Sequence, residues 1–403
     1  MKVLTRSFIF TLVAIGLYAS CSPNADQSIA SMNDEEVLLA DGTPFTRALL
    51  LEDFGACILS ELDRFKEQSR AFEAAVVLAV TDPEQLENAQ RAWRSTIDLW
   101  QQLEVMQIGP GGRSTQPGGQ GLRDSIYAWP LNNSCAIDTS LVSESYANDA
   151  SAVRFSANGL SAAEYLLFYE GQENACESGD EINTTGSWSE LDESTLRSRR
   201  AAYAAFTAAA VAEAAEALYN AWSPAGENFM AELTRAGDGS RTYGKKRVAI
   251  NAISDALFYV EWATKDNKLG RPLGITACDQ SYCVEKVESR YGRHSIAHLR
   301  NNLIGFRKLF KGCGIEQDRL GFDDLLYTMG HAELAEEIDQ AAQATISALD
   351  AISEEDLVAA LDDDFESVVD VHSALTQLTD LLRSDFLIAL RLELPQLVQG
   401  DND

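Results

Sequence analysis

The sequence predicts an all-α protein, with two helical-bundle domains packed side by side and joined by long irregular connections. Apolar residues recur at three- and four-residue steps through most of the chain, alanine is abundant in those stretches, and strand-like alternation is scarce. The stretches 49–80, 92–106, 196–222, 247–264, 295–311, 330–350 and 367–390 read as helices. In 196–222, for instance, Val211, Ala214, Leu218 and Trp222 fall on one face. Two stretches break the pattern. "GPGGRSTQPGGQG" (109–121) holds six glycines and two prolines and lacks the Gly-Lys-Ser/Thr ending of a phosphate loop, so it reads as a flexible connection. The second, 265–294, contains "KLGRPLGI" and "ESRYGRH".

In chain order, residues 1–20 read as a signal peptide: Lys2 and Arg6 precede a short apolar run, Phe8 to Ala19. "YASC" resembles a bacterial lipobox, which makes Cys21 the expected lipidation site and new N-terminus; an ordinary secretory signal is the alternative. Residues 21–45 are expected to form an acidic flexible tether. A helical domain follows over 46–235 and a second over 236–403, the division resting on Gly/Pro punctuation between 225 and 245. No later stretch reads as a second membrane segment.

The formal net charge of -30 argues against nucleic acid as a partner. "SEEDLVAALDDDFE" (353–366), with seven acids and no base, reads as a solvated acidic surface. Besides Cys21 there are six cysteines, Cys57, Cys135, Cys176, Cys278, Cys283 and Cys313, and export favours disulfides among them over a metal cluster.

"NGLSAAEYLLF" (158–168) places Glu164 in an apolar run, where a buried carboxylate needs partners. Ser161 sits in G-x-S-x-A without the second glycine or the strand of a nucleophile elbow. His294 and His298 are spaced to share a helix face, which suits chelation if carboxylates such as Glu164 or Glu288 join them; two polar residues near a helix start are the plainer alternative.

Several segments together resemble the imelysin-like family, also called the M75 peptidase family, over about 45 to 403. Gly159 to Glu164 occupy its G-x-H-x-x-E motif, with Ser161 at the histidine position. "MQIGP" (106–110), "AWPLNNSCAID" (128–138), "NKLGRPLGI" (267–275) and "ESRYGRHSIAHLRNNLIGF" (288–306) follow in order. The resemblance implies an exported, often lipid-anchored, two-domain helical protein linked to iron uptake, with its site around the motif helix. On that basis the expected ligand-binding residues are Ser161, Glu164, Trp129, Asp138, Glu288 and Ser289. Glu164, His298 and His294 are the expected ligands for iron or another divalent metal. A serine in place of the histidine removes a nitrogen ligand, so a non-catalytic binding component is expected. The alternatives are an M75-like metallopeptidase with a rearranged metal site and an envelope scaffold with a degenerate site. The expected location is the bacterial envelope, periplasm-facing, and Ser22 after Cys21 favours the outer membrane. The expected partners are that membrane, through the lipid, and iron-uptake components.

Overall fold

A computed structural model describes residues 37–314 and 319–399, so the signal peptide and Cys21 lie outside the described residues. The end of the expected tether is structured. β1 (Val37–Leu38) pairs antiparallel with β2 (Pro44–Phe45), and Gly42, at φ +89°, makes the turn between them. Phe45 enters the core and fixes the entry to α1 (Arg47–Thr81), whose N-cap Thr46 accepts a hydrogen bond from Leu49 N–H.

The rest is helical. α1 buries Leu50, Phe54, Ile58, Leu62, Phe65, Phe72 and Val76 along one stripe. α2 (Leu86–Leu103) packs beside it through Trp93, Ile97 and Trp100. α3 (Ser134–Ser143) and α4 (Gly159–Phe168) are short, and α4 lies against α5 (Glu193–Trp222). α5 is long and apolar enough to cross a membrane, contrary to the sequence reading, but its inward side, Tyr203, Ala204, Ala208, Val211 and Trp222, is buried against α1 and α4. Its alanines let the helices approach closely.

α6 (Lys246–Leu257) runs into a wider-wound helical segment, Val260–Gly270, so helix extends six residues past the expected stop at 264. α7 (Ser295–Phe310) crosses α2, and Gly305 permits the contact: a Cβ there would lie 2.3 Å from the Gln102 carbonyl oxygen. α8 (Ala332–Ala351) and α9 (Phe365–Leu381) pair with each other, and Arg307 on α7 holds Asp339 on α8 at 2.7 Å.

The glycine-rich stretch is not a free connection at its start. Gly109 to Gly112 are buried, and a Cβ on Gly109 would overlap the Phe229 ring. The cysteines pair as Cys57–Cys313, Cys135–Cys176 and Cys278–Cys283. The first ties α1 to the end of α7, beside the Lys308–Glu61 ion pair of 3.0 Å.

Candidate functional site

The motif helix α4 starts where only glycine fits. Gly159 has φ +74°, and a Cβ would sit 2.5 Å from the Ile126 carbonyl oxygen. Trp93 Nε1 on α2 donates to the Leu160 carbonyl at 2.9 Å, which locks the first turn. Four residues on, Glu164 points at the turn that precedes α7.

That turn is built from left-handed residues, Ser289 at φ 56° and Arg293 at φ 51°. It aims two main-chain donors inward. Tyr291 N–H and Gly292 N–H reach Glu164 Oε1 at 3.0 and 2.9 Å. Gly292 has little room for a side chain, since a Cβ would stand 3.0 Å from the Trp93 ring. The partner of Glu164 is therefore neither histidine nor arginine but the peptide backbone. Burial pushes the Glu164 carboxyl up to about 7; the Gly292 N–H works against this and the nearby Glu288 charge adds to it.

Behind this contact lies a buried ionic network. Glu288 meets Lys268 Nζ at 3.2 Å, His298 Nδ1 at 3.1 Å and Tyr127 OH at 2.8 Å. Burial alone would raise Glu288, but Lys268 and the other partners outweigh it and hold the group at about 2. Lys268 also reaches Gln101 Oε1 at 2.5 Å and Glu104 at 3.7 Å. Glu104 accepts from Trp100 Nε1, Arg123 and Tyr259 OH. Burial lowers the His298 pKa, against the pull of the neighbouring Glu288. Gln101 Nε2 lies 3.2 Å from His298 Nδ1, and the ring's Nε2 is buried without a hydrogen-bond partner.

In front of Glu164 opens a cleft of about 330 Å³. Among the expected ligand-binding residues, Ser161, Glu164, Trp129 and Ser289 line it. Asp138 and Glu288 do not. They stand one layer back, Asp138 bonded to Tyr165 OH at 3.1 Å and Glu288 to Tyr127 OH, and both tyrosines face the cleft. Burial raises Asp138 to about 6, against the Ala175 N–H and the Tyr165 hydroxyl. The Ser161 hydroxyl has no hydrogen-bond partner. The Ser289 hydroxyl is close enough to ease the Glu164 charge, yet it too meets no partner with hydrogen-bond geometry.

The expected metal ligands are not brought together. His298 is sealed in the ionic network and His294 Nε2 lies 2.9 Å from Asp98 Oδ1, while Glu164 faces the cleft. Among the described residues, the His, Cys, Asp and Glu group whose ligand atoms converge is Cys135, Cys176 and Asp180. Its two sulfurs are joined in a disulfide and offer no thiolate. At the cleft itself the donors are two carboxylates, Glu164 and the exposed Glu285, with hydroxyls and the Asn132 amide, a set without histidine or thiolate and too hard for a resident catalytic zinc.

The sequence reading missed Gln101, Glu104 and Lys268 in the network and Arg271 and Lys286 at the cleft. Lys268 and Arg271 sit in "NKLGRPLGI", and the only signal there was a base among apolar neighbours.

A helical protein with a buried carboxylate beneath an inter-helix cleft is thus the class that fold and site define. The family profile described as Imelysin, peptidase M75, matches residues 58–384, and the chain belongs to that family. It is similar to iron-regulated protein A of Synechococcus elongatus, 24% identical over 271 residues, a match spanning 67% of this chain and 65% of that protein's length. Two crystal structures share the fold. One, from Parabacteroides distasonis, is described as an iron-regulated protein A precursor (TM-score 0.62, 18% identity, 86% of this chain and 96% of that one). The other is an imelysin-like protein from Psychrobacter arcticum (TM-score 0.62, 12% identity, 95% and 99%).

Proposed function

We propose that this chain is an exported, lipid-anchored component of bacterial iron uptake that binds a ligand in the Ser161–Glu164 cleft and does not cleave peptides. The observation that carries the reading is the state of Glu164. One oxygen is already satisfied by two main-chain N–H groups, while the unpartnered Ser161 hydroxyl lies beside it in an open cleft. A hydrolytic metal needs about three protein ligands and an open position, and no such set surrounds this carboxylate among the described residues. Hydrogen bonding to a bound molecule is what the arrangement can do. The link to iron is supported by the similarity to iron-regulated protein A. The anchor at Cys21 and the periplasm-facing outer-membrane location rest on the lipobox-like segment and Ser22, contact with other iron-uptake components rests on the family resemblance, and all belong to the same proposal.

The test is to incubate purified protein with an unfolded polypeptide and zinc or iron, with and without chelator. No chelator-sensitive cleavage is expected. Cleavage lost in Glu164→Ala would replace this reading by a metallopeptidase. Lipid labelling lost in Cys21→Ala would support the anchor, and labelling that persists would remove it.

A further inference from the structure

The cleft is basic on an acidic protein. The chain carries 62 acids against 32 bases, yet the cleft is lined by Arg271, Lys286 and Arg290 against Glu164 and Glu285. Arg271 and Lys286 make no ion pair among the described residues, and Arg290 is held only by Tyr291, through its hydroxyl at 2.9 Å and its ring. Lys286 and Arg290 are exposed at the rim. Unpaired cations gathered on one concave surface focus potential and attract anions.

The floor is donor-rich as well. Ser161 and Ser289, each 6% exposed, line the same space, and their hydroxyls are buried without a hydrogen-bond partner. Both are neutral donors that a carboxylate oxygen would satisfy. Two helix starts border the cleft: Ser134 opens α3 and Ser161 lies in the first turn of α4. First-turn N–H groups have no partner within their helix and favour negative charge.

We infer that the ligand of this cleft is a small polycarboxylate, free or carrying a metal ion, with one carboxyl seated on Ser161 and Ser289 and its outer carboxylates held by Arg271, Lys286 and Arg290. The inference rests on the proposed ligand-binding reading and gives it a chemistry. It also accounts for the sparse metal ligands: a metal delivered as a chelate brings its own oxygens. A single inorganic anion would reach either floor or rim, whereas about 330 Å³ is at the lower end of small-molecule sites. Glu164 turns one carboxyl oxygen to the Tyr291 and Gly292 N–H groups, which offset part of its charge toward the anion.

Isothermal titration of the purified protein with citrate, ferric citrate, inorganic phosphate, ferrous iron and zinc tests this. Citrate or ferric citrate is expected to bind, more weakly as salt is raised. The Lys286→Ala/Arg290→Ala variant should weaken it at least about tenfold, since two charge-assisted contacts are lost. Ser161→Ala should weaken it too, while the exposed Arg197→Ala changes nothing. Binding of both citrates that is indifferent to the rim variant, or phosphate binding equally well with the same dependence, would overturn the inference. If a bare metal binds and Glu164→Ala abolishes it while neither citrate binds, the inference fails and the ligand-binding reading stands. If no probe binds, both fail.

Discussion

Replacing Glu164 with glutamine should make the protein more stable at alkaline pH and leave it nearly unchanged in acid. The carboxyl titrates at about 7 in the folded chain against an ordinary 4.5. A group raised in this way supports folding fully below its unfolded pKa. That support disappears as pH climbs through the folded value, because the native state must then hold an unwelcome charge. The difference of about 2.5 units corresponds to about 3 kcal/mol at 1.36 kcal/mol per unit. Glutamine keeps the oxygen that Tyr291 and Gly292 N–H address and removes the charge. Urea unfolding of both proteins from about pH 4.5 to pH 8.5 measures it, the stability gap opening mostly between the two pKa values. A gap that stays flat with pH, or a variant less stable than wild type at pH 8.5, would refute the assignment of a strained buried carboxylate. Asp138 shifts wild-type stability in the same direction, but it is common to both proteins and cancels in the difference.

Three further outcomes follow from the packing. Lys268→Met leaves Glu288 in the interior without its lysine and should cost about 3–5 kcal/mol, with part regained when Glu288→Gln is added; unfolding curves of the single and double variants decide it. Gly159→Ala meets both an unfavourable φ and the Ile126 carbonyl, so a loss above about 1 kcal/mol is expected in urea, with weaker ligand binding as α4 shifts. Serine at both Cys57 and Cys313 opens a link across 256 residues and should cost about 2–5 kcal/mol, read as a lower urea midpoint that reductant does not lower further through this pair.

The helices were legible because their information is local. Three- and four-residue steps along 49–80 or 196–222 declare an apolar face whatever that face touches. Segments stabilised from a distance were not. Gly109 to Gly112 look like a loose connection until Phe229 is seen covering them, and the pair around Gly42 exists because Phe45 is drawn into the core.

The candidate site divides the same way. Its address was readable: the glycine, serine and glutamate of α4 and the turn at 288–294 were both marked by the family resemblance. Their meeting was not, because main-chain N–H groups carry no residue signature and Glu164 binds two of them. Nor could spacing tell that His294 and His298, one helical turn apart, would diverge toward Asp98 and Glu288. By itself the sequence determined the helical class, the family and the segments that build the cleft. Only the tertiary structure decided which charges are neutralised, by Lys268 behind Glu164, and which are left open, at Arg271 and Lys286. Charge pairing depends on distances of a few ångströms between residues well separated in the chain, Lys268 with Glu288 and with Glu104, and local pattern cannot encode those distances.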